Sequence, residues 1–404
     1  MSLHHNPKIV TDGLVFAYDM DNTAKSWKGK PTENLVPDPL FSQQNWSTWS
    51  GRGADSWSYD TFSGETTVYT DLSINTGERH QLYKDITVSS SLTTFALSID
   101  VYVTLDCDAN SILANQEYPF GNNYGSLGYD LTKKGTWQRL YAIRDNAYTG
   151  DTSNIETRYR FYFGTSNTTG SQGKIYFKNA QLEEGTFDTP FVNGTRSNTQ
   201  ALLDMSKSKN TITATSLTYN SDGTFQFNNN NNNYLSLNTG ITGSNFTVLM
   251  WHYNGASSFA TAGHRTFLST NNLRFQWDDT PDRGPFVDFN SGSGGGQANF
   301  GSSLTPANFL QKYTMVGLVG GSTVKTTFND VTSGQYSTIS GARNFSSNGN
   351  VSIGIDNLSG IGGSDHINRE SSVVKMPLIQ IYNRALTAAE IKQNFNATRG
   401  RFGI

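Results

Sequence analysis

The chain has 404 residues, of which 35% are hydrophobic, 12% aromatic and only 16% charged, with a net charge of −3. That length leaves room for two or three domains, and the near-neutral balance offers no electrostatic case for binding nucleic acid or an anionic membrane. A single cysteine, Cys107, excludes an intramolecular disulfide framework, and no apolar run approaches the roughly 20 residues of a membrane span.

The N-terminal "MSLHHNPK" lacks the apolar core of a signal peptide, so synthesis and assembly inside a cell are expected. Residues 9 to 20, "IVTDGLVFAYDM", alternate around Leu14, Phe16 and Tyr18, which predicts a strand entered through an Asp12-Gly13 turn. Further runs of period two follow: Phe95 to Val103, Leu140 to Ala142, Tyr159 to Phe163 and Ile175 to Phe177, separated by turn clusters at the spacing of a β-sandwich. After these, Phe225-Phe227 and Tyr234 to Leu237 flank six consecutive asparagines, Asn228 to Asn233. Asparagine tolerates positive φ, so this run predicts a hairpin loop. Strand signals then continue through Trp251, Trp277, Met315 and Phe328 to a β-rich run, Val373 to Tyr382. Only there does a clear helix signal occur. Thr387 and Glu390 have capping-box spacing, Ile391 and Phe395 share a face, and Gly400 predicts the stop. The fold class expected is all-β, with one short C-terminal helix.

Two stretches carry family resemblances. "IQIYNRALTAAEIKQNFNATRGRFGI" resembles the C-terminal signature of the laminin G-like (concanavalin A-like) jelly rolls found in many phage virion proteins, and "DGLVFAYDMDNTAKSW" is similar to their first strand. The segment that soon follows in those domains has its counterpart only near Gln200, in "ALLDMSKSKNTITATSLTYNSDGTFQF". The intervening residues open with "ENLVPDPLF", contain Gly135-Thr136-Trp137-Gln138-Arg139 and close with Gln181-Leu182-Glu183-Glu184-Gly185. That set resembles the carbohydrate-binding jelly rolls of the CenC type. The resemblances imply a discontinuous laminin G-like jelly roll, residues 1–28 plus 199–404, with a carbohydrate-binding-like jelly roll, residues 29–198, inserted after its first strand. An insertion of this kind is tolerated at an exposed turn.

Enzyme templates are missing: there is no G-x-S-x-G elbow, H-E-x-x-H, P-loop or dinucleotide fingerprint, so no enzymatic activity is expected. Trp46, Trp49, Trp57 and Tyr59 fall within fourteen residues of polar sequence. Aromatic rings stack on the apolar faces of sugars, which makes these four the first glycan-binding candidates. The competing reading places one or two of them in a sandwich core. Tyr118 and Tyr124, around Gly121 to Asn123, form a second candidate loop. Asp106, Asp108 and Asn110 have a D-x-D-x-N rhythm that suits a structural calcium, although the glycine and glutamate of a full loop motif are absent and a solvated turn is the plainer reading.

Taken with the resemblance, these features lead us to expect a non-enzymatic virion-surface protein of a tailed phage, a fibre or decoration. Host-surface polysaccharide and other virion structural proteins are its implied partners, and a homo-oligomer, such as a trimer, its implied assembly. The alternative expectation is a purely structural capsid or tail decoration protein that binds no sugar.

Overall fold

The structure is a computed structural model describing residues 8–20, 22, 25–48, 57–73, 79–87, 94–108, 128–145, 156–164, 172–220, 225–228, 233–258, 264–278, 284–289, 297–299, 304, 306–329, 338–356, 367 and 373–404. The protein is all-β apart from short helices, as its alternating sequence requires. It divides into two compact units, residues 1–30 with 198–404, and residues 31–197. Among the described residues, no helix is long and apolar enough to cross a membrane.

Strands are numbered in chain order. In the discontinuous unit a six-stranded sheet runs β1 (Leu14–Asp19), β25 (Val374–Tyr382), β16 (Thr247–Asn254), β21 (Tyr313–Val319), β22 (Thr323–Phe328) and β23 (Thr338–Ser340). A seven-stranded sheet runs β12 (Thr213–Thr215), β15 (Tyr234–Asn238), β24 (Asn350–Ile353), β17 (Arg265–Ser269), β18 (Leu273–Asp278), β19 (Gly284–Phe289) and β20 (Gln297–Asn299). The first strand therefore pairs with the last, Tyr18 opposite Ile379. The chain that resumes after residue 198 bonds straight back to β1: Asp204 Oδ1 accepts from the Ala17 amide at 2.9 Å, and the Met205 amide donates to Ala17 O at 2.8 Å.

The central strand β16 is apolar on both faces because both are covered. Val248 and Met250 face the core between the sheets, with Phe275, Leu318 and Ile379. Leu249 and Trp251 face the other way, onto Ile391 and Phe395 of the helix α2 (Ala388–Thr398), which follows the short helix α1 (Pro306–Phe309). Thr387 and Glu390 form the reciprocal capping box that their spacing predicts. The stop falls later than Gly400: the chain tightens into a 3₁₀ turn, Arg399–Phe402, and Gly403 takes the left-handed conformation at φ 72°.

The asparagine run also departs from expectation. Phe225–Gln226 (β14) pairs with Thr218–Tyr219 (β13), whereas β15 belongs to the seven-stranded sheet, so the run joins two sheets and is no hairpin. Asn233 Oδ1 accepts from the Asn228 amide at 2.8 Å, closing the two described ends of that connection.

In the continuous unit a five-stranded sheet runs β4 (Trp57–Phe62), β5 (Glu65–Asp71), β10 (Lys174–Glu184), β7 (Thr94–Val103) and β8 (Trp137–Asp145). A three-stranded sheet holds β3 (Ser47–Thr48), β6 (Arg79–Thr87) and β9 (Glu156–Gly164), and β2 (Thr32–Glu33) pairs with β11 (Thr195–Arg196). Its core takes the alternate residues Phe95, Leu97, Ile99, Val101 and Val103 of β7, with Ile175, Phe177 and Leu182 of β10. Asp100 and Tyr102 of β7 and Lys174, Tyr176 and Lys178 of β10 lie on the other face of the sheet, and the candidate site is made from those.

Candidate glycan-binding surface

Of the aromatic cluster singled out in the sequence, the described members Trp46, Trp57 and Tyr59 turn inward. Trp46 is 7% exposed; its Nε1 donates to Asp38 O at 3.0 Å, and its ring lies 4.7 Å from Phe41. This corrects its candidacy, because a ring packed into the core has no face to offer a sugar. Trp57 and Tyr59 are half-buried against the same core, on the side of β4 that carries their register partners Thr70 and Val68. Burial pushes the Tyr59 phenol up. Trp49, Tyr118, Tyr124 and Asn110 lie outside the described residues.

Asp106 and Asp108 are exposed in the turn after β7, and Asp108 Oδ1 accepts from the Gln172 amide at 2.8 Å. Calcium takes six to eight oxygens, of which these two carboxylates could supply a part. Among the described residues, no group of three or more His, Cys, Asp and Glu is placed to hold a metal.

The opposite face of the five-stranded sheet presents a different set of rings. Tyr69 of β5 stands opposite Tyr176 of β10, Tyr176 opposite Tyr102 of β7, and Tyr102 opposite Trp137 of β8. These four form one cross-strand row, because a strand's side chains alternate and registered partners share a face. Phe62, near the end of β4, stacks on Tyr176 with ring centres 4.3 Å apart and lies 4.8 Å from Tyr102. Neighbouring centres along the row are 5.1 Å (Tyr69 to Tyr176), 6.3 Å (Tyr176 to Tyr102) and 5.6 Å (Tyr102 to Trp137). Phe62, Tyr69, Tyr102 and Trp137 are each half-buried, as Trp57 and Tyr59 are, but on the face away from the core, and Tyr176, in the middle, is buried among them. Burial pushes the Tyr176 phenol up.

Charged rows border the rings on either side. Lys174 stands two residues before Tyr176, its Nζ 4.9 Å from the Tyr69 ring centre and 3.7 Å from Asp71. On the other side Lys178, Asp100 and Arg139 are in register. Lys178 Nζ lies 4.3 Å from the Trp137 ring centre and is paired with Glu65. Arg139 donates to Asp100 Oδ1 at 3.0 Å and to Ser98 Oγ at 2.7 Å, and Asn179 Nδ2 donates to Asp100 Oδ2 at 2.7 Å. Hydrophobic faces flanked by fixed donors and acceptors are what a sugar ring requires: C–H groups against aromatic carbon, hydroxyls against polar side chains. In the sequence, Trp137 and Arg139 belong to a family motif and Tyr102 and Tyr176 fall within alternating strand runs, none of them marked there by a binding role.

No protein-family model matches the sequence, and no curated protein matches it. Solved structures similar to it in part include the binding domain of Paraclostridial Mosquitocidal Protein 1 (14% identity, TM-score 0.37, covering 48% of this chain and 49% of that one). The botulinum neurotoxin type G receptor-binding domain is similar at 14% identity and TM-score 0.36, over 48% of each chain. Domain 4 of AbnA, a GH43 extracellular arabinanase from Geobacillus stearothermophilus, in complex with arabinotriose, is similar at 13% identity and TM-score 0.35, over 49% of this chain and 92% of that one. The chain thus spans about half the length of the first two.

Proposed function

We propose that the protein is a non-enzymatic glycan-binding protein displayed on the surface of a tailed-phage virion, as a fibre or decoration. On this reading the inserted unit is the sugar-binding module, and the discontinuous laminin G-like unit supports it and meets other virion proteins in a homo-oligomer. The observation that carries the binding role is the cross-strand row Tyr69–Tyr176–Tyr102–Trp137, with Phe62 beside it, in which Tyr176 is buried and the other rings are partly exposed. Solvent-facing strand positions ordinarily hold polar side chains, so a run of rings across four adjacent strands calls for something to lie on it. The virion setting rests on the sequence resemblance of the two chain ends.

The second reading, a decoration protein without sugar binding, also has an observation in its favour. Lys174 and Lys178 already lie over the outer rings, so the row is partly covered by its own neighbours. A glycan array of bacterial surface polysaccharides, run with and without calcium, separates the two. Binding that Trp137→Ala abolishes supports the glycan-binding reading. A blank array from folded protein favours decoration, and binding that appears only with calcium brings Asp106 and Asp108 into the site.

A further inference from the structure

The discontinuous unit has an open surface of its own, on the face of the seven-stranded sheet that points away from the core. Thr213, Ser236, Ser352, Ser269, Arg274 and Asp288 stand in cross-strand register there, one from each of six adjacent strands. Their chain neighbours Ala214, Leu235, Leu237, Val351, Leu268 and Leu273 point into the core. The charged end of the row is closed: Arg274 donates to Asp356 Oδ2 at 3.1 Å and to Asp288 Oδ2 at 2.9 Å, and the Asp356 side chain is fully buried. The uncharged end is a groove of about 580 Å³.

Among the described residues, no Lys, Arg, Asp or Glu lines that groove. Its floor is hydroxyl, from Thr213, Ser236 and Ser352, and its rim is amide. Asn238 Nδ2 donates to Asn350 Oδ1 at 2.7 Å and to Asn348 O at 3.0 Å. Asn271 Oδ1 accepts from Ser346 Oγ and from the Ser347 amide, both at 2.9 Å. The rim is thereby held in place before any ligand arrives. Tyr234, two residues from Ser236 and on its face, contributes one half-exposed ring.

We propose that this groove is a second sugar site, independent of the aromatic row, and that it takes a neutral oligosaccharide. A neutral polyol offers hydroxyls to hydroxyls and amides, and burying such groups against one another avoids the large desolvation cost of a charge. An anionic glycan would require a cation, and Arg274, the basic residue of the same cross-strand row, is already paired with two carboxylates. A protein partner would be expected to meet an apolar or aromatic centre, which this floor lacks. The volume lies within the range of about 300–1,000 Å³ usual for small-molecule sites.

The test is calorimetric titration of the whole chain with maltohexaose, cellohexaose, mannohexaose and laminarihexaose, with a hyaluronan hexasaccharide as the anionic comparison. The expected result is binding of at least one neutral oligomer, weakened about tenfold or more by Ser236→Arg, which places a large side chain in the groove. Asn350→Lys, at the exposed rim, is a second variant that leaves the floor intact and is expected to weaken the same ligand. Trp137→Ala leaves that binding unchanged. The proposal is overturned if no neutral oligomer binds, if only the anionic one does, or if the groove variants bind normally while keeping native circular dichroism. Loss of that binding in Trp137→Ala would assign the ligand to the aromatic row instead.

Discussion

Lys178 holds its ammonium 4.3 Å from the centre of the Trp137 ring while paired with Glu65. A ligand that stacks on this ring must first move the lysine aside. The contact is worth about 0.5–1 kcal/mol at a partly exposed site, so Lys178→Ala is expected to tighten glycan binding by a few-fold. Titration of the variant checks this. Weaker binding would mean that the ammonium contacts the sugar and does not merely cover the ring.

Trp46 belongs to stability and not to recognition. Its indole fills core space beside Phe41 and satisfies Asp38 O. Trp46→Ala should cost about 3–5 kcal/mol, in line with large-to-small core substitutions, and lower the melting temperature of the inserted unit. Trp46→Phe keeps most of the volume but leaves Asp38 O without the indole donor, and should cost less. Differential scanning calorimetry of the two variants measures the difference.

Much of the fold is legible in local sequence because alternation and capping are local properties. Phe95 to Val103 reads as a strand and is β7, and Thr387 with Glu390 reads as a cap and is one. The binding surface is harder to read because Tyr69, Tyr102, Trp137 and Tyr176 come together only through the register of four strands. A signal is nonetheless present. Tyr102 lies between Val101 and Val103, and Tyr176 between Ile175 and Phe177, so each ring occupies the solvent-facing phase of a strand whose other phase is core. Nearness in sequence misleads at Trp57 and Tyr59, which alternate with Ser58 and Asp60 and therefore take the inward phase. The groove of the other unit is made of Ser, Thr and Asn, residues common in any solvated strand, and only the pairing of strands assembles them.

His252 makes the discontinuous unit acid-sensitive. Its ring is 0% exposed, stacked 4.4 Å from Phe309 and edge-on to Phe267, and neither ring nitrogen has a hydrogen-bond partner among the described residues. Burial pushes the imidazole down to about 3 from its usual 6.5. A depressed folded-state value means that the unfolded chain binds the proton first, so stability is full above the usual value and falls as pH drops towards the folded one. The unfolding midpoint of this unit should therefore decline between about pH 6.5 and 3, and His252→Phe should flatten that part of the profile. A profile unchanged by the substitution would contradict the assignment.

The capping box should be separable from the packing of α2. The Glu390 carboxylate is held down to about 2, chiefly by Arg384, whose Nη2 donates at 2.6 Å, and then by the Thr387 amide at 2.8 Å. Thr387→Ala removes the hydroxyl cap and is expected to cost about 1 kcal/mol. The Glu390 contribution should be present above the ordinary carboxylate range and fade as pH falls towards about 2. Thermal melts of the variant at neutral pH and at pH about 2 test both, with a smaller difference from the parent expected in acid because much of Glu390 is then protonated.

The most direct test of the aromatic row is a fluorescence titration with a polysaccharide that the array identifies, comparing the parent protein with Trp137→Ala and Trp137→Phe. Stacking on the row predicts a tryptophan signal that saturates with ligand in the parent. It also predicts affinity lowered about tenfold or more in Trp137→Ala and largely kept in Trp137→Phe, whose ring preserves a stacking face. Equal affinity in all three, with every variant folded, would contradict the assignment of sugar binding to this face.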